Sequence, residues 1–91
     1  VAKLCNINIM EKNSNLHNTV LKNFGKHLKE IRVKKNYTQE QLAEEAGFTR
    51  SYYTEIETGK RNISLINLYK LATALQVSLS ELVEFNEGEE F

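Results

Sequence analysis

Apolar residues fall at Val20, Phe24, Leu28 and Ile31, with Leu21 widening the stripe, the spacing of one face of a helix. Lys22, Lys26, Lys29, Lys34 and Lys35 occupy the other side. The pattern predicts a helix from about Asn18 to the Asn36-Tyr37 break, with Gly25 tolerated inside it at some cost. Shorter amphipathic stretches follow, each opened by a capping residue. Thr38 and Gln41 form a capping box for QEQLAEEA, which buries Leu42, Ala43 and Ala46. Gly47 stops that helix as a left-handed C-cap residue would. Thr49 caps a helix from Arg50 to about Thr58, with Tyr53 and Ile56 inward and Gly59 at its end. Ser64 caps a helix over Leu65–Gln76, with Leu65, Leu68, Leu71, Ala72 and Leu75 inward. Ser78 and Glu81 make a last capping box for Leu79–Glu84, with Leu82 inward.

These stretches predict an all-α fold of five short helices, with no strand pattern and no internal repeat. Only Gly47, Phe48 and Thr49 separate the second helix from the third, which is the spacing of a helix-turn-helix unit. The third helix, within GFTRSYYTEIE, shows Arg, Ser, Tyr and Thr on its outer side. A merely solvated helix would more readily carry Glu and Lys pairs there. Something outside the protein reads this surface.

The ends of the chain differ from its middle. VAKLCNINIMEKNSN has no sustained period and is rich in Asn, so residues 1–17 read as a loosely ordered extension before a domain at 18–85. Residues 86–91 close an acidic tail, EFNEGEEF, too charged to fold alone. All 12 Lys and Arg lie at or before Lys70, with 7 of the 12 Glu, so the formal net charge of zero divides into a +5 body and a −5 end. A basic body accommodates a polyanion on one face, and a solubilising tail explains the acidic end equally well.

Composition narrows the chemistry. Ninety-one residues fit one small core, and no apolar run approaches the roughly 20 residues of a membrane span. The first residues lack the basic-then-apolar pattern of a secretory leader, and the lone Cys5 suits a reducing cytoplasm. His17 and His27 stand ten apart with no nucleophile or carboxylate motif, and read as exposed helix residues. No Cys/His spacing indicates zinc, and no Gly-rich loop indicates a phosphate cradle. The expectation is a protein that is not an enzyme, with no cofactor, no metal and no small-molecule substrate.

The run TQEQLAEEAGFTRSYYTEIETGKRNISLINLYKLATALQVSLSEL resembles the Cro/repressor (Xre-type) helix-turn-helix family over residues 24–83. Within it, RSYYTEIE with GKRNISLINLYKLATAL is similar to the controller proteins of restriction–modification systems, while phage repressors and antitoxins share most of the pattern. The resemblance implies a transcriptional regulator that binds double-stranded DNA. Its second motif helix would enter the major groove, presenting Thr49, Arg50, Ser51 and Tyr52, with Thr54 and Glu55 a turn further on. Arg50 suits a bidentate contact to guanine O6 and N7. Tyr52 offers a ring edge to a thymine methyl and a hydroxyl to phosphate. Gln39, at the start of the second helix, and the loop residues Lys60, Arg61 and Asn62 would touch the backbone and fix register. Arg32 and Glu57 match family positions that pair to tie the first helix to the third. Tyr53 stands where the family usually has an aliphatic core residue, so its hydroxyl needs a partner.

One reading helix touches too few base pairs for a specific genomic site, so a homodimer on a near-palindromic operator is expected. Ile66, Tyr69, Val83 and Phe85 are the apolar residues left for that interface. The competing reading is a protein-interaction module that has kept the fold but lost DNA; salt dependence of binding separates the two.

Overall fold

The computed structural model describes residues 9–85, with side chains described from residue 16. The described residues form five helices in the order α1 (Ile9–Lys34), α2 (Gln39–Ala46), α3 (Arg50–Glu57), α4 (Leu65–Leu75) and α5 (Leu79–Val83), with no strand among them. The capping residues act as their chemistry dictates. Thr38 and Ser78 each complete a full capping box, while the Thr49 and Ser64 hydroxyls accept the N–H three residues on. Gly47 (φ 82°) closes α2, and Gln76 (φ 63°) closes α4 in the same left-handed conformation.

α1 starts at Ile9, earlier than the expected start near Asn18. Apolar periodicity marks the buried face of a helix, not its length. Residues 9–17 contain neither Pro nor Gly, so a helix nucleated by its packed half propagates through them. The rest of the expected extension, residues 1–8, and the acidic tail 86–91 lie outside the described residues.

α1 packs on α3 and α5, α2 packs on α3 and α4, and α4 packs on α5. Leu28, Leu42, Tyr53, Ile56, Leu71, Leu75 and Leu82 are fully buried at the centre. Each large aliphatic side chain so removed from water contributes roughly 1.5–3 kcal/mol. Leu65, expected inward, is instead 65% exposed. It is the first residue of α4, whose buried residues, Leu71, Ala72 and Leu75, all lie in its second half.

The α1 backbone comes close to the end of α3 at Gly25. A Cβ placed there would lie 2.2 Å from the Glu57 carbonyl oxygen and 2.9 Å from that of Ile56. A glycine in mid-helix weakens α1 locally, and here it lets the α1 backbone meet the end of α3.

Candidate nucleic-acid interface

The surface of interest begins with a turn. Beyond Gly47 the Phe48 N–H donates to Ala43 O (2.8 Å), and Thr49 accepts from the Tyr52 N–H (3.1 Å) to start α3 in a new direction. Thr49, Arg50 and Ser51 are exposed at the opening turn of α3. Tyr53 and Ile56 bury its opposite side.

The orientation of α3 is set from its other end by one carboxylate. Arg32 donates from Nε to Glu57 Oε2 (2.6 Å) and from Nη2 to Oε1 (3.3 Å), and Nη1 donates to Tyr37 O (2.9 Å). Gln39 Nε2 donates to Glu57 Oε1 at 2.9 Å, and the Tyr53 hydroxyl donates to Oε2. Burial pushes the Glu57 carboxyl up, but hydrogen bonds from Arg32, Tyr53 and Gln39 outweigh it and hold the group below the usual carboxylate range. The bond to Glu57 raises the Arg32 guanidinium above its ordinary value, against burial. Burial, and then its bond to Glu57, push the Tyr53 phenol well above its ordinary value. Glu57 therefore joins α1, the start of α2 and α3. The polar groups gathered there are satisfied, as burial requires.

Two of the expected contact residues already have partners within the chain. Gln39, expected to touch the DNA backbone from the start of α2, gives one of its amide hydrogens to Glu57, which leaves the other and the α2 N-terminus for an anion. The Tyr52 ring packs edge-to-face on Phe48 (centroids 5.0 Å, 79°), and its hydroxyl accepts from Asn67 Nδ2 at 2.9 Å. It is half-buried and braced, with its own phenolic proton left to donate.

Glu55 and Arg61, expected to meet a base and a phosphate separately, meet each other: Arg61 Nε donates to Glu55 Oε1 at 2.7 Å. The Arg61 guanidinium lies 5.2 Å from the Tyr52 ring centroid, and the bond to Glu55 raises its pKa above the ordinary value. Lys60 and Asn62 are exposed on the same loop, and Thr54 is half-buried on α3.

On α4 and α5, Ile66 (65%), Tyr69 (61%) and Val83 (38%) stay exposed, as does Leu65 next to Ile66. Phe85 does not join them. It is half-buried, edge-on to Phe24 (5.7 Å) and stacked with His27 (6.0 Å), because the chain after α5 turns back over α1. His27, expected exposed, is half-buried there, with Nε2 2.9 Å from Glu81 O.

Sequence reasoning missed Asn67, which braces Tyr52. The available signal was that the third residue after the Ser64 cap is Asn, where a capping box would have Glu or Gln.

These features define a helix-turn-helix protein. A helix-turn-helix family model matches residues 28–82, and the chain belongs to that family. It is 45% identical over 67 residues to control protein C.MunI of a Mycoplasma species, covering 72% of this chain and 90% of that one. Its fold superposes on the restriction–modification controller protein C.AhdI of Aeromonas hydrophila with a TM-score of 0.71 and 47% identity, over 72% of this chain and 96% of that one. It also matches the biofilm master regulator SinR, solved in complex with DNA, with a TM-score of 0.63 and 35% identity over 67% and 98% of the two chains.

Proposed function

We propose that this protein is a sequence-specific transcriptional regulator of the restriction–modification controller type, which binds double-stranded DNA in its own promoter region as a homodimer. The observation that carries the reading is the exposed Thr49-Arg50-Ser51 turn, held at a fixed angle by the Glu57 hub. Arg50 reads guanine through O6 and N7, and Thr49, Ser51 and Tyr52 contact neighbouring base edges or sugar-phosphate. Thr54 and Glu55 reach further along the groove. The α2 N-terminus with Gln39, and the loop of Lys60, Arg61 and Asn62, hold the phosphates that fix register. The likeness to controller proteins and to a regulator solved on DNA supports DNA binding by a controller-type regulator.

Leu65, Ile66 and Tyr69 of α4 and Val83 of α5 are exposed, and they are the apolar residues assigned to a two-fold interface. Paired protomers would set two Arg50 side chains about 34 Å apart, matching half-sites one helical turn apart on a near-palindromic operator. The protein works in the cytoplasm, where the DNA is, and performs no catalysis. Among the described residues no helix is long and apolar enough to cross a membrane.

Titrating fluorescent duplex DNA at several salt concentrations tests the reading. Affinity is expected to fall steeply with salt, with log K linear in log salt. A flat salt dependence, or no binding at micromolar protein, overturns it.

A further inference from the structure

Glu55 and Arg61 carry opposite charges on the surface assigned to a polyanion, and both are substantially exposed, with side chains 42% and 52% accessible. The contact is built. The Lys60 N–H donates to the Glu55 carbonyl (2.8 Å), which folds the loop against α3 one residue before Arg61. Tyr52 forms the floor beneath the guanidinium, itself fixed by Phe48 and Asn67.

Such an exposed pair is easily opened, since its closure shifts an equilibrium by no more than about fivefold. Opening has unequal consequences on different DNA. Arg61 gains a phosphate wherever it swings. Glu55 is then left as a bare carboxylate against a polyanion, unless a base edge offers it a donor. In the major groove a carboxylate is satisfied by the N4 amino group of cytosine.

We propose that Glu55 and Arg61 form a coupled specificity element, closed on DNA that lacks a cytosine beneath Glu55 and open where a cytosine amino group takes the carboxylate and releases Arg61 to a phosphate. This rests on α3 being the DNA-reading helix. The pair then makes one phosphate contact conditional on one base, so Glu55 acts chiefly by penalising wrong sites.

The test uses the full 91-residue chain as wild type, Glu55→Gln, Arg61→Ala and the double variant. Each is titrated over a range of salt against a duplex that wild type selects from a random library and against a scrambled duplex. On scrambled DNA, Glu55→Gln is expected to bind tighter by up to about fivefold, with a salt slope steeper by about 0.9, the signature of one added phosphate contact. Selection with Glu55→Gln is expected to lose one cytosine preference per half-site. In the Arg61→Ala background the same substitution is expected to leave the slope unchanged.

An unchanged slope for Glu55→Gln alone would overturn the proposal, because Arg61 would then serve Glu55 and phosphate together or neither. Equal steepening in both backgrounds would overturn it too, by reducing Glu55 to simple repulsion. Either result leaves wild-type sequence selection intact. Failure of wild type to select any sequence instead removes the DNA-reading role of α3, and this proposal with it.

Discussion

Gly25 of α1 lies against the backbone carbonyl of Glu57, so the residue that ends α3 is met by a helix with no side chain at the point of contact. The same residue's carboxylate takes two hydrogen bonds from Arg32, two turns further along α1. Backbone contact and ion pair together fix how α3 leaves the core. The angle at which Arg50 is presented depends on both.

Gly25→Ala is therefore expected to destabilise the fold, although alanine is the better helix former. Its methyl would overlap backbone, which cannot rotate aside, so the cost should reach at least the roughly 1–3 kcal/mol typical of overpacking. Thermal unfolding followed by circular dichroism measures it. A variant as stable as wild type would mean that α1 and α3 are further apart.

Glu57→Gln should cost roughly 3–5 kcal/mol at neutral pH by leaving Arg32 buried without its counter-charge. The effect has a pH signature. The folded state holds Glu57 ionised below the ordinary value of 4.5, so its contribution is complete above that value and disappears as pH falls through the lower folded value. Denaturant unfolding from pH 7 to pH 3 should show wild type converging on the variant in acid. A gap independent of pH would place the loss in packing, not charge.

Much of this was legible from local chemistry. Thr38, Gly47, Thr49, Ser64 and Ser78 act through groups within a few residues of themselves, so the bounds of α2 to α5 followed closely from sequence. Long-range partners were not legible. Nothing near Gly25 in the chain names Glu57, and nothing near Tyr52 names Asn67, fifteen residues on. Leu65 and Phe85 show the same limit in reverse: periodicity assigns a face, while exposure depends on where neighbouring helices stop. Within the candidate interface the residue types were readable, but the Glu55–Arg61 contact was not, because it depends on the loop turning back at Gly59.

Lys60→Ala should weaken binding to all duplexes alike and flatten the salt slope by about 0.9, as for one lost phosphate contact. Affinities on selected and scrambled DNA across salt concentrations provide the check. A preferential loss on the selected duplex would make Lys60 a base reader instead.

Tyr69→Glu with Val83→Glu is expected to give a folded monomer with sharply weaker binding to the selected duplex, since both side chains are exposed and neither fills the core. Sedimentation velocity at micromolar protein reports the assembly state. Wild type sedimenting as a monomer there, yet binding one half-site tightly, would contradict the dimer.

If the opening turn of α3 reads DNA, selection from a random duplex library will show it. Wild type is expected to enrich a near-palindrome with half-sites one helical turn apart. Arg50→Ala should lose one guanine per half-site, worth roughly 1–3 kcal/mol of discrimination, while weak non-specific binding persists. If wild type enriches no sequence, or if Arg50→Ala weakens selected and scrambled DNA equally, α3 does not read bases through Arg50.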